Sequence, residues 1–119
     1  MELEGPAKRL TILIGEQDHV GHHSLATEIV KRAHSSGLAG VTVFRGVEGY
    51  GKSSHIHTTR ILSLSDDLPV CIVIVDRAEA IAAFAGQLHE LVEGGLVTVE
   101  DVEVLRYVHH PGRPADTPG

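Results

Sequence analysis

Val70-Cys71-Ile72-Val73-Ile74-Val75 is apolar at every position and rich in β-branched residues. Branching at Cβ suits the pleated strand, and a run without polar alternation marks a strand buried on both faces. Asp66-Asp67-Leu68-Pro69 before it reads as a turn. Asp76 and Glu79 after it have the spacing of a capping box. That spacing predicts a second helix running to about Glu93, with Ile81, Phe84, Leu88, Leu91 and Val92 on one side and Gly94-Gly95 as its stop. Residues 97–99 are then expected as a short strand and residues 102–108 as a last one.

Upstream, Leu10-Thr11-Ile12-Leu13-Ile14 reads as a first strand closed by Gly15. A first helix is expected over residues 24–35, with Ser24 as N-cap and Gly37 as stop. Its Leu25, Ala26, Ile29, Val30 and Ala33 share one face. Val41-Thr42-Val43-Phe44 begins a second strand. From 46 to 59 the apolar pattern dissolves into glycines, serines and histidines, which reads as a long exposed loop, and Ile61 and Leu62 return as strand.

The resulting order, β-α-β-loop-β-α-β, is the split βαβ plan. It predicts an α/β (α+β) ferredoxin-like βαββαβ fold, a four-stranded antiparallel sheet with two helices on one face. Two helices leave the second face bare, yet the central strand wants burial on both sides. A second copy of the chain is the simplest cover, so an oligomer is expected; loops folded over a monomer are the alternative.

A length of 119 residues suits one domain, and the 42% hydrophobic content is enough for one core. Residues 1–7 are expected as a flexible N-terminus, 8–108 as the domain and 109–119 as a disordered Pro- and Gly-rich tail. Ten basic against sixteen acidic residues give a net charge of −6, which argues against nucleic acid as a partner. Cys71 is the single cysteine, and neither a signal peptide nor a bilayer-length apolar run is present; a cytoplasmic location is expected.

Three groups of residues could carry chemistry. Gly49-Tyr50-Gly51-Lys52-Ser53-Ser54 can wrap an anion with backbone N–H groups, although it lacks the Walker spacing and a plain hairpin tip is the commoner meaning. His19, His22 and His23, with His55 and His57, could ligate zinc, copper or nickel; solvated histidines are the bland alternative. Asp66-Asp67 forms a carboxylate pair at a turn where Asp is common for structural reasons. No nucleophile-base set is recognisable, so no catalytic residue is assigned and a non-enzyme is expected.

Ile14-Gly15-Glu16-x-Asp18, Gly37-Leu38-Ala39-Gly40-Val41-Thr42-Val43 and Arg45-Gly46-Val47-Glu48-Gly49-Tyr50-Gly51 resemble the family known as domain of unknown function 190. Ile56-His57-Thr58, Leu64-Ser65-x-Asp67-Leu68-Pro69-Val70, Ile74-Val75-Asp76 and Gly95-Leu96-Val97-Thr98 extend the resemblance over about residues 8 to 108. The family looks like a branch of the PII-like superfamily. The resemblance implies a homotrimeric signalling protein that binds a small effector, an adenine nucleotide of the AMP or ADP class, between subunits. A T-loop between the second and third strands then reports to a partner. No cofactor is obligatory.

Carried over residue by residue, Thr42 matches the position that holds an adenine ring, and Gly49 and Gly51 match the loop base. Lys52, Arg60 and Arg106 are the nearest counter-charges. The pattern departs from PII proteins at Glu93-Gly94-Gly95-Leu96, where they carry a Gly-Asp-Gly-Lys phosphate cradle; Glu100-Asp101 adds acid shortly after. One arginine, Arg106, stands in the last strand instead of two, and Ser24-Leu25-Ala26 replaces the family's usual Pro-Leu-Tyr. Two other readings remain: a divalent-metal-binding trimer using His55 and His57, and a ligand-free adaptor docking on a membrane transporter or channel.

Overall fold

The computed structural model describes residues 3–49 and 67–108. Their elements are β1 (Gly5–Gly15), β2 (His19–Val20), β3 (His23–Ser24), α1 (Leu25–Ser35), β4 (Thr42–Arg45), β5 (Pro69–Asp76), α2 (Ala78–Leu91) and β6 (Leu96–Val104). β2 and β3 form a two-residue ribbon ahead of α1, and the four longer strands form one antiparallel sheet in the order β4-β5-β1-β6. Each helix connects two strands separated by one other, so two split βαβ units interlock. This is the ferredoxin-like βαββαβ fold.

β5 alternates strictly: Val70, Ile72, Ile74 and Asp76 are buried, while the residues between them are half-buried. The buried set meets Leu10, Ile12 and Ile14 of β1, Leu25, Ile29 and Ala33 of α1, and Ile81, Phe84 and Leu88 of α2. On the other face, Thr11, Cys71, Val73 and Val75 are half-buried. Leu13 is 37% exposed there, Phe44 56% and Leu96 54%. The register places Phe44 opposite Cys71 and Leu96 opposite Leu13, so these apolar side chains lie on the face that no helix covers.

Local chemistry sets the helix ends. Ser24 Oγ accepts the Thr27 N–H at 3.0 Å, a conventional N-cap. Gly37 then takes φ +78°, and the N–H of Leu38 reaches back to the Ala33 carbonyl at 3.2 Å, closing the helix with a left-handed residue.

Four local expectations are corrected. Asp76 does not form a capping box: Arg77 is the N-cap of α2, without a side-chain cap bond. The Asp76 carboxylate is buried and accepts the N–H groups of Ala39 and Arg77 instead. α2 ends at Leu91, because Val92 is already extended, two residues short of Glu93. The last two strands are one: β6 pairs with β1 from Leu96 to Val104, and residues 105–108 lie outside it. Glu100 and Asp101 sit within that strand, paired in register with Arg9 and Lys8 and forming ion pairs with them. Finally, Gly5, Pro6 and Ala7 belong to β1, opposite Val104, Glu103 and Val102, and Leu3 is buried, so order begins before residue 8. The expected strand at Ile61 and Leu62 lies outside the described residues.

Candidate functional site

The antiparallel register brings the end of β1, the end of β4 and the starts of β5 and β6 to one end of the sheet. A cleft of about 1070 Å³ opens there. Leu13, Ile14 and Leu96 supply its apolar floor from the strand ends. Val20 and Leu25 line it from the ribbon and α1, and Glu90, Leu91 and the turn at Glu93, Gly94 and Gly95 from α2. Gly49, Asp67 and Pro69, the two feet of the long loop, complete it.

Hydrogen bonds donated by backbone N–H groups tie the feet to the chain just after β1 and to each other. Glu16 N–H donates to the Leu68 carbonyl at 2.8 Å, Gln17 N–H to Asp67 Oδ1 at 2.7 Å, and Gly46 N–H to the Pro69 carbonyl at 2.7 Å. Gly15 N–H donates to Asp18 Oδ2 at 3.0 Å, which folds the chain back after β1. Two glycines sit at close approaches, and at the second the clash is with backbone. A Cβ at Gly15 would lie 2.1 Å from Asp67 Oδ2. Gly95, at φ +146°, sits where a Cβ would lie 2.6 Å from the Leu13 carbonyl, a backbone atom that cannot yield.

The cleft is acidic. Asp18, Asp67, Glu90 and Glu93 line it, and among the described residues no Lys or Arg does. Arg45, at the neighbouring end of β4, is held in an ion pair with Glu16. Glu100 and Asp101, expected to add to the acid at the turn, lie along β6 and are paired with Arg9 and Lys8. On α1, the Glu28 carboxyl is held below the usual carboxylate range, chiefly by the hydrogen bond from Arg32, against the opposing effect of desolvation, which is second in size, and with smaller electrostatic contributions from Arg32, Lys31 and His23.

The residues singled out from the sequence separate in space. Gly49, His19 and Asp67 line the cleft. Thr42 does not: it is exposed on the uncovered sheet face, in one row with Val73, Thr11 and Thr98. Arg106 lies beyond the far end of β6, whose eight steps from Leu96 to Val104 span about 26 Å. Gly51, Lys52, Arg60, His55 and His57 lie outside the described residues. Among the described residues no three His, Cys, Asp or Glu side chains come together as a metal site, and no helix is long and apolar enough to cross a membrane. Reading the sequence missed the apolar wall formed by Val20, Leu25 and Leu91. It also missed Asp18 as a lining residue, although its Gly-x-x-Asp spacing after a strand is a turn signal.

Comparison with known proteins agrees with this architecture. Residues 7–104 match the model of the DUF190 family, described as Uncharacterized ACR, COG1993. A UPF0166 protein of Aquifex aeolicus is 36% identical over 98 residues, covering 82% of this chain and 92% of that protein. A UPF0166 protein of Methanocaldococcus jannaschii is 33% identical over 101 residues, covering 84% and 93%. Among solved structures, CPII of Thiomonas intermedia K12 bound to ADP and bicarbonate superposes with a TM-score of 0.55 at 25% identity, covering 85% of this chain and 90% of that one. CutA1 of Oryza sativa shares the fold alone, with a TM-score of 0.56 at 12% identity over 88% and 85% of the two chains. With the family match spanning both helices and all four strands of the sheet but for the first two residues of β1, the chain belongs to the DUF190 family and has a PII-like fold.

Proposed function

We propose that this protein is a PII-like regulatory protein, not an enzyme, that works in the cytoplasm as a homotrimer and binds an adenine nucleotide of the AMP or ADP class. The observation that carries the reading is the position of the cleft. It lies where the feet of the long loop, Gly49 and Asp67, meet the turn after α2 at Glu93–Gly95. A ligand there touches both ends of the segment that joins β4 to β5, so its binding can be transmitted to that loop and from it to a partner protein, such as a membrane transporter or channel. The structure of the CPII relative with ADP supports the choice of ligand class.

The uncovered sheet face supports the assembly. Leu13, Phe44 and Leu96 are too exposed there to contribute much in a lone chain, and burying them against further copies recovers that apolar area. Assembly also gives roles to the two site residues that the single chain holds away from the cleft. Thr42 on the open face and Arg106 at the far end reach a nucleotide only from a neighbouring copy.

Isothermal titration calorimetry with AMP, ADP and ATP tests the reading, alongside light scattering on the same sample. Binding of at least one adenine nucleotide by an oligomer is expected. Absence of any binding at millimolar nucleotide overturns the effector role and leaves the ligand-free adaptor. Uptake of zinc or copper in its place, lost on replacing His55 and His57 together, points to the metal-binding reading.

A further inference from the structure

The cleft has the wrong charge for a polyphosphate. Asp18 and Asp67 each commit one carboxylate oxygen to a backbone N–H at the end of β1, so their positions are set by the fold. Glu90 and Glu93 stand exposed on the opposite rim, at the end of α2 and in the turn after it. Glu93 also lies near the C-terminal end of a helix, where the macrodipole already repels anions. Residues 50–66, which join the two feet of the loop, contain Lys52, Arg60 and Asp66. Even with all of them turned inward and Arg106 supplied by a neighbouring copy, five acids would face three lysine and arginine cations, with His19 of the lining and His55 and His57 of the loop beside them.

We infer that the acidic rim is a charge filter, with Glu90 and Glu93 as its specificity-determining residues, that ranks adenine nucleotides by how few phosphate charges they carry beyond the first. The inference rests on the proposed reading of the cleft as the effector site and names what that site prefers. The nucleoside portion suits the lining, because apolar Leu13, Val20, Leu25 and Leu96 can pack a base while carboxylates accept hydrogen bonds from an exocyclic amine or ribose hydroxyls. Each added phosphoryl group increases repulsion from the rim. A divalent cation chelated by the phosphates cancels that repulsion, and so does salt.

The test is calorimetry on the full chain in EDTA at low ionic strength, with adenosine, AMP, ADP and ATP. Affinity should fall from AMP through ADP to ATP, with ATP about tenfold or more weaker than AMP, the size expected for two extra charges against nearby, partly screened carboxylates, and adenosine serves as the uncharged reference. The double substitution Glu90→Gln and Glu93→Gln should raise ATP affinity several-fold more than adenosine affinity, and magnesium should narrow the series in the unaltered protein. Both positions are exposed, and a thermal melt of the double variant checks that its fold is kept. ATP binding as tightly as AMP in EDTA overturns the filter while leaving the effector role intact. Equal shifts for all four ligands in the double variant overturn the assignment to Glu90 and Glu93. Absence of binding by all four overturns the effector role, and the filter with it.

Discussion

The buried carboxylate of Asp76 accepts the backbone N–H of Ala39 at 2.8 Å, joining the end of β5 to the connection between α1 and β4 across 37 positions of sequence. Its other oxygen accepts the N–H of Arg77 at 2.7 Å, and the carbonyl of the same Ala39 accepts the Tyr107 hydroxyl at 2.9 Å. Ala39 thus ties together three segments at the end of the sheet opposite the cleft. Asp76→Ala leaves two backbone donors without their acceptor and should cost about 2–4 kcal/mol. Denaturant unfolding at fixed protein concentration measures it. A loss under 1 kcal/mol would mean that water replaces the carboxylate without penalty.

The two faces of β5 make opposite predictions for neighbouring residues. Ile72 is fully buried under the helices, whereas Val73 is half-buried on the uncovered face. Ile72→Asp should therefore fail to fold, because an unpaired charge in the core costs several kcal/mol. Val73→Asp should fold but lose assembly. Light scattering is expected to give a mass near three chains for the unaltered protein and one chain for Val73→Asp, with circular dichroism unchanged. A folded Val73→Asp of undiminished mass would remove this face from the interface.

Arg106 offers a test of the shared site. If it contacts phosphate in a neighbour's cleft, Arg106→Ala should weaken AMP or ADP binding by about 1.5–3 kcal/mol at unchanged oligomer mass. Calorimetry paired with light scattering reads both quantities. Unchanged affinity would place the phosphate elsewhere.

Glu28 gives a pH dependence of known sign. Its carboxyl is held below the usual range, chiefly by the hydrogen bond from Arg32, so the folded state binds its proton less readily than the unfolded state. The contribution to stability is complete above the unfolded-state value and is lost as pH falls through the lower folded-state value. The pair is a solvent-screened i,i+4 contact, so the effect should be small. Thermal melts between pH 6 and about pH 3 should show the unaltered protein losing slightly more stability than Glu28→Gln. Parallel curves would show the pair to be energetically silent.

Sequence alone determined the order of the four sheet strands and the two helices, because that order follows from local periodicity, but it did not show the short β2–β3 ribbon. The apolar run at 70–75, the amphipathic spacing of 25–33 and 81–92, Ser24 before the first helix and Gly37 after it each act within a few residues. The same locality misled at Asp76 and at Glu100-Asp101. Asp before a helix ordinarily caps it, and adjacent acids ordinarily break a strand. Here the first is claimed by Ala39, 37 residues away, and the second are in ion pairs with Arg9 and Lys8 on the paired strand. Only the tertiary structure could decide which functional candidates share a site. Antiparallel pairing sends the start of β6 to the cleft and its end to the opposite side, which separates Arg106 from Gly49 and leaves Thr42 on the open face. It also gathers Asp18, Asp67, Glu90 and Glu93 into one acidic rim. Asp18, Asp67 and the Glu90–Glu93 pair are far apart in sequence, and only the tertiary fold brings them to one cleft.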